Sequence, residues 1–151
     1  MSAQIPVSYI SKEDLRLEAY RKLAICEELD NVLKIQDEWT DRFGPVPVAA
    51  ENLLSVAKLR CVARKLGVNE IAGRRLHQHE GSQWVAKLSP INLRPSEVVS
   101  VKRLYPGSLF KESISELQIV FDHSTTPVQD LVSYLQGVLS PSRVLSPESF
   151  D

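Results

Sequence analysis

The chain has 151 residues, of which 43% are hydrophobic and 25% are charged, a composition that suits one globular domain and argues against extensive disorder. Its 18 Lys and Arg side chains are balanced by 19 Asp and Glu side chains, for a formal net charge of −1. A duplex-binding domain usually has a clear basic excess, because neutralised phosphates supply most of its affinity, so this balance argues against DNA binding as the main role.

The first predicted helix follows an extended N-terminal segment. Residues 3–10 are predicted to be extended, since Pro6 lacks an amide donor and biases the residue before it away from helix. Ser11 is predicted to cap a helix over about residues 12–27, with acidic residues in its first turn. Its apolar stripe consists of Leu15, Ala19, Leu23 and Cys26, widened by Leu17, Tyr20 and Ala24.

Two more helices are predicted before residue 68. Asp30 is predicted to cap the second, which ends at Gly44 as a left-handed glycine. Pro47 is predicted to be the first residue of the third, which closes at Gly67 and is apolar over more than one stripe. This third helix is therefore expected to be the central packing element. The stripe of the second helix is Val32, Ile35, Trp39 and Phe43.

The C-terminal half predicts a small sheet. Four short segments are rich in β-branched or aromatic residues, and they are expected to form two antiparallel pairs with flanking helices. The order predicts an α+β fold, in which N-terminal helices pack with a small, mostly antiparallel sheet. We expect one domain over residues 1–139 and a flexible Ser/Pro-rich tail over residues 140–151. The predicted strands are residues 68–72, 83–88, 108–111 and 116–121, and the flanking helices begin at Pro95 and Pro127.

Motifs for catalysis or cofactor binding are not found in the sequence. No phosphate-binding glycine loop, nucleophile elbow or paired-cysteine spacing is present, so no cofactor is predicted. Cys26 and Cys61 are interpreted as small buried hydrophobic residues in a reducing compartment. A cysteine–histidine nucleophile pair stays open as an alternative, because such partners meet only in space.

The strongest metal-binding candidate is the segment from His77 to Glu80. His77 and His79 are two residues apart and would face one ion from a strand edge, with Glu80 nearby. The competing interpretation is a polar hairpin loop, with Gly73, Arg74 and Arg75 before it as a charged turn. His123 has no obvious partner. No metal site is predicted.

The second helix also carries an acidic face. Asp37, Glu38 and Asp41 are predicted to project opposite the Trp39 stripe, as carboxylates that repel one another unless a cation approaches. They are interpreted either as a solvated face neutralised by Lys34 and Arg42 or as a docking site for an arginine-bearing protein surface.

A basic set is the second surface feature. Cations late in a helix complement its dipole, which is a sufficient structural reason for two of its members, Arg64 and Lys65. Nucleic-acid contact is the alternative, although no aromatic side chains are interleaved for stacking. The set is Lys58, Arg60, Arg64, Lys65, Arg74 and Arg75.

The sequence has no apolar run long enough to span a bilayer and no secretory signal pattern, so we expect a cytoplasmic protein without membrane contact. Met1-Ser2-Ala3 is typical of a cloned or processed start. The chain is therefore expected to be a fragment of a longer protein.

Six segments in order resemble one known family. Together they are similar to the C-terminal domain of transcription-repair coupling factors (Mfd), the bacterial translocases that remove RNA polymerase stalled at DNA damage. The resemblance is dense over residues 3–68 and rests on element order beyond them. The segments are residues 5–10 (IPVSYI), 15–24 (LRLEAYRKLA), 41–47 (DRFGPVP), 52–54 (NLL), 57–60 (AKLR) and 63–67 (ARKLG).

The resemblance implies a non-catalytic regulatory domain. In that family the motor and its nucleotide site lie in other domains, so DNA is contacted through the motor. The C-terminal domain folds back onto an N-terminal module similar to the excision-repair protein UvrB. There it masks the surface that recruits UvrA and restrains the motor, until engagement with stalled RNA polymerase releases it.

The resemblance also assigns a role to the acidic face. The family's acidic pair before Arg-Phe-Gly meets arginines of the UvrB-like module, and the matching positions here are Glu38 and Asp41. Asp37 and Arg42 complete the predicted protein-binding set. The family often has an aliphatic residue at the position of Trp39, a change expected to alter packing but to leave the carboxylates outward. A nucleic-acid-contacting domain that uses the basic set remains the alternative function.

Overall fold

The computed structural model describes residues 2–78, 81–122 and 126–139. They form an α+β fold, as predicted, with five helices and a four-stranded antiparallel sheet among them. The helices are α1 (Glu13–Ala24), α2 (Leu29–Phe43), α3 (Val48–Leu66), α4 (Pro95–Leu104) and α5 (Pro127–Leu139), and the strands are β1 (Glu70–Gln78), β2 (Gly81–Ser89), β3 (Leu109–Lys111) and β4 (Glu116–Asp122).

The chain divides into two compact units. The helical unit contains residues 2–62 together with Val128–Gln136, and the sheet unit contains the described residues of Ala63–Pro127 together with residues 137–139. None of the described helices is long and apolar enough to cross a membrane.

The apolar stripes of α1, α2 and α3 form the core of the helical unit. Trp39 of α2 is only 2% exposed, and Phe43 packs against the same cluster at the end of the helix. The prediction that Leu17 widens the α1 stripe is wrong: it is 53% exposed, and Ala24 is exposed too. The α1 contact is thus a narrow stripe. The buried members of the cluster are Ile5, Ile10, Ala19, Leu23, Cys26, Val32, Ile35, Trp39, Ala50, Leu54, Ala57 and Cys61.

Two tyrosines tie the N-terminal segment to this core. The amide of Ile5 donates to Tyr20 Oη at 2.7 Å. Tyr9 Oη lies 3.1 Å from the carbonyl oxygen of Trp39 and 2.8 Å from that of Gly44. The Tyr9 ring also meets Phe43 edge-on, with ring centroids 5.7 Å apart, and its burial raises the pKa of the phenol. The segment before α1 therefore fixes the C-terminal end of α2.

The predicted caps of the first two helices are wrong. α1 begins at Glu13, and Ser11 instead offers its carbonyl oxygen to Arg16 Nη1 at 3.1 Å. α1 also ends at Ala24, before the predicted residue 27. α2 begins at Leu29, one residue before the predicted cap Asp30, which lies in the first turn. In neither helix does a side chain of the N-cap residue bond to the backbone, and both helices begin within two residues of the predicted start.

The ends of α2 and α3 that involve proline or glycine are close to the prediction. Gly44 ends α2 with φ 87° and ψ −168°, a positive φ outside the left-handed helical region that was expected. α3 begins at Val48, one residue after Pro47, whose carbonyl oxygen accepts from the Glu51 amide at 2.9 Å. Gly67 follows α3 with φ 77°, as a glycine stop requires.

The sheet unit has the strand order β1-β2-β4-β3, and every neighbouring pair is antiparallel. Both predicted strand pairs are confirmed. The interpretation of residues 73–75 as a turn is wrong, because β1 continues through them. Gly73, Arg74 and Arg75 face Ala86, Val85 and Trp84 of β2 in unbroken register.

The alternating residues of β4 form the core of the sheet unit. Leu117, Ile119 and Phe121 are buried, as predicted, and Tyr105 packs edge-on against Phe121 with centroids 5.0 Å apart. Helix α4 begins at Pro95, as predicted. The Val120 side chain is buried on the opposite face of the sheet, and its backbone amide donates to Ser108 Oγ at 3.0 Å.

Both cysteines are buried in the helical unit, as predicted, and neither forms a disulfide. Cys61 Sγ lies 3.7 Å from the carbonyl oxygen of Cys26, and Cys26 Sγ lies 3.3 Å from that of Lys22. Burial raises the pKa of the Cys26 thiol, and the nearby Arg60 guanidinium opposes this rise only in part. The Cys26 thiolate, which is the reactive form, is therefore disfavoured at neutral pH.

We expect Cys26 to react slowly with a thiol reagent in the folded chain. A raised pKa lowers the thiolate fraction, and burial restricts access, so labelling by Ellman's reagent at pH 8 should be at least about tenfold slower than in concentrated guanidinium chloride. The Cys61→Ser variant isolates the Cys26 signal. Rapid stoichiometric labelling of that folded variant would contradict the buried, protonated thiol.

Trp39→Ala should lower the free energy of unfolding by about 3–5 kcal/mol, because it removes the largest side chain of the helical core and leaves a cavity. Urea denaturation followed by circular dichroism measures the change. Thr40→Ala at the neighbouring exposed position is the control, with an expected change within about 0.5 kcal/mol. A loss below about 1 kcal/mol for Trp39→Ala would show that the core does not depend on this residue.

Candidate protein-binding face of helix α2

The buried stripe of α2 determines which of its acidic residues face solvent. Successive residues of an α-helix are about 100° apart, so the residues two positions before and after Trp39 lie on the side opposite to it. These residues are Asp37 and Asp41, and both are exposed. The predicted outward projection is confirmed for these two carboxylates.

Glu38 lies on the flank of α2 that meets α1. Its side chain is 38% exposed, and its Oε2 atom is 3.0 Å from Arg42 Nη1 and 3.8 Å from Lys22 Nζ. Lys22 is also 3.7 Å from Glu18 on α1. Glu38 is thus held between two cations, in a small cleft whose apolar lining includes Trp39.

Sequence reasoning identified one of these two cations. Arg42 pairs with Glu38 alone among the three carboxylates, and its guanidinium also lies over the Phe43 ring, 5.0 Å from the centroid. Lys34, the other predicted neutraliser, pairs with no carboxylate among the described residues. Lys22 was missed because it comes from α1. The only signal for it was the Glu18–Lys22 spacing, which does not reveal where α1 packs.

Asp37 and Asp41 differ from Glu38 in their electrostatic environment. Neither carboxylate forms an ion pair with any residue that the structure describes. They lie four residues apart, about one helical turn, on a surface shared with Thr40 and Arg42. An ionised carboxylate accepts paired hydrogen bonds from a guanidinium, so this face is chemically suited to bind arginine side chains.

The basic set is spread over different elements. Arg60 Nη2 donates to the carbonyl oxygen of Leu23 at 2.9 Å, where it holds the end of α1 and so has a structural role. Lys58 is half-buried on α3, and Arg64 and Lys65 occupy its last turn. Arg74 and Arg75 are adjacent on β1, so they point to opposite faces of the strand. On β1 these two arginines therefore do not form one basic surface.

The strongest metal-binding candidate of the sequence, residues 77–80, lies partly outside the described residues. His77 belongs to β1, whereas His79, Glu80 and His123 lie outside the described residues. Among the residues that the structure describes, no group of three or more His, Cys, Asp or Glu side chains is placed to hold a metal ion.

Known proteins with sequences similar to this chain include transcription-repair-coupling factors. The family model of the TRCF domain matches residues 1–83. The transcription-repair-coupling factor of Mycobacterium tuberculosis (strain CDC 1551 / Oshkosh) is 34% identical over 119 residues, which are 79% of this chain and 9% of that protein. The corresponding protein of Staphylococcus aureus (strain USA300) is 34% identical over 71 residues, 47% of this chain and 6% of that protein.

The fold has a counterpart among solved structures. A crystal structure of the C-terminal domain of a transcription-repair coupling factor superimposes with a TM-score of 0.71 at 17% identity, covering 92% of this chain and 88% of that one. The chain spans about a tenth of the length of the curated relatives it matches. It belongs to the TRCF domain family of transcription-repair coupling factors.

Proposed function

We propose that residues 1–139 form a non-catalytic regulatory domain that docks on the UvrB-like module of the same polypeptide, with residues 140–151 as a tail. Docking masks the surface that recruits UvrA and restrains the DNA translocase, and engagement with stalled RNA polymerase releases it. DNA is contacted through the motor of the parent protein. The proposal combines the family of the chain with the acidic face of α2.

The observation that carries this proposal is the pair of exposed carboxylates on α2. Asp37 and Asp41 lack cationic partners among the described residues, while Trp39 holds the helix from the other side. A rigid helix positions its charges with little conformational entropy left to lose, which favours binding. Arginines of the docking module would complement these carboxylates and set the register of the complex.

Glu38 contributes to the same surface by exchanging partners. Its ion pairs with Arg42 and Lys22 involve side chains that are 38–50% exposed. Pairs of this kind contribute only about 0–1 kcal/mol, so replacing one of them with an arginine of the module costs little. Asp41 has no ion pair among the described residues to give up, so we expect it to contribute more than Glu38 to the affinity for the module.

Docking of the domain through such contacts is reversible. A few kcal/mol of differential contact energy is enough to keep a closed state dominant. Exposed charge pairs are screened within about 8 Å at physiological ionic strength. The affinity of the domain for the module should therefore fall as salt rises.

Reversing the charge at Glu38 and Asp41 tests this interface. In a binding titration of the chain against the isolated UvrB-like module, the double variant Glu38→Lys/Asp41→Lys should bind at least about tenfold more weakly, because two attractive contacts become repulsive. The difference should shrink between low and moderate salt.

The matched control changes two exposed carboxylates elsewhere. Glu51→Lys/Glu112→Lys alters the net charge equally but leaves the α2 face intact, so its affinity should stay close to that of the unmodified chain. Equal weakening by both pairs would indicate a general charge effect. If the unmodified chain does not bind the module even at high concentration, the proposed docking is wrong, and duplex DNA becomes the next ligand to titrate.

Arg42 was predicted as a member of the protein-binding set, but it already pairs with Glu38, so removing it should strengthen docking. Its guanidinium lies 3.0 Å from Glu38 and competes with an incoming arginine. Arg42→Ala should therefore tighten binding to the module by about two- to fivefold at low salt. Arg103→Ala on α4, also exposed, is the control. Weaker binding by Arg42→Ala would instead mean that Arg42 contacts the module itself.

A further inference from the structure

β1 forms one edge of the sheet. The strand order is β1-β2-β4-β3, so β1 pairs with β2 on one side and with no other described strand on the other. It is nine residues long and keeps continuous register with β2 from Glu70 to Gln78. A long edge strand of this kind presents a row of unpaired backbone amides and carbonyls, which can pair with another extended chain.

The middle of β1 is open to solvent on both faces. Ala72, Gly73, Arg74 and Arg75 are all exposed, although neighbouring strand residues point to opposite sides. Gly73 has space around it: a Cβ atom there would meet only the carbonyl oxygen of Val85, at 3.9 Å. Two small residues therefore leave the backbone accessible beside the two arginines.

Arg74 and Arg75 determine the chemistry of this edge. Neither forms an ion pair or hydrogen bond within the described part of the chain. Edge charges commonly protect a sheet against self-association, and two arginines would repel the same strand of a second copy. They attract a strand of opposite charge, however. Because they point to opposite faces, two consecutive carboxylates on an added strand would meet one arginine each.

We propose that β1 is a docking edge for an extended acidic segment of a partner protein. The segment adds a strand beside β1 through main-chain hydrogen bonds, and two consecutive acidic residues pair with Arg74 and Arg75. This surface uses other residues than the acidic face of α2. It binds an acidic partner, whereas the acidic face binds a basic one. A nucleic acid would engage the same arginines but would not extend the sheet.

A peptide titration with the full 151-residue chain tests the proposal. The probe is an acetylated nine-residue peptide of alternating Thr and Val with Glu-Glu at its centre, and the comparison peptide has Lys-Lys there. We expect saturable binding of the Glu-Glu peptide and at least about fivefold weaker binding of the Lys-Lys peptide. Arg74→Glu/Arg75→Glu should invert this preference, whereas the exposed pair Lys102→Glu/Arg103→Glu on α4 should preserve it.

Main-chain pairing is tested with backbone methylation of the Glu-Glu peptide. Alternate amides of an added strand point toward β1 and away from it, so methylating one alternate set should abolish binding while the other set leaves it intact. This comparison uses the unmodified chain and stays decisive if the arginine variant fails to fold. Three results would overturn the proposal: no binding at millimolar peptide, equal binding of both methylated peptides, or tighter binding of a single-stranded oligonucleotide that depends on the same arginines.

Discussion

The burial of Trp39 is the contact on which the acidic face of α2 depends. The indole fills the core of the helical unit, and the backbone carbonyl of the same residue accepts from Tyr9, so the helix is fixed in rotation as well as in position. Rotation by a single residue, about 100°, in the direction that turns Glu38 outward would move Asp41 to the flank and bring Asp37 toward the core. The buried apolar side of α2 therefore determines which carboxylates a partner can contact.

Periodicity was sufficient to predict the buried side of α2 but not the residues beside its acidic face. The stripe through Val32, Ile35 and Trp39 follows from spacing alone, and the structure confirms it. The ion pair between Lys22 and Glu38 joins two helices, and no pattern within either helix specifies their relative rotation. The caps predicted at Ser11 and Asp30 also failed, by one or two residues, because local preference does not fix a helix start to the exact residue.

The error at residues 73–75 has a different cause. Glycine followed by two charged residues favours a turn locally, yet β1 passes through them because its pairing with β2 continues from Glu70 to Gln78. Cooperative pairing thus outweighs local propensity in this segment. The docking edge on β1 is a product of this pairing, because Arg74 and Arg75 lie on opposite faces of an edge only when the strand is continuous. Sequence reasoning that placed them in a turn could not reveal it.

A net charge of −1 conceals local surfaces of opposite sign. Asp37 and Asp41 lie on a helix whose backbone groups are used internally, so a partner recognises them through side chains alone. Arg74 and Arg75 lie on a strand whose outer backbone groups lack a described partner strand, so recognition there includes the main chain. Affinity at α2 should therefore depend on the number of charges and on salt, whereas affinity at β1 should also depend on how readily the partner adopts an extended conformation. The near-neutral net charge of this chain argues against binding through overall charge, and it is compatible with selective docking at each of these surfaces.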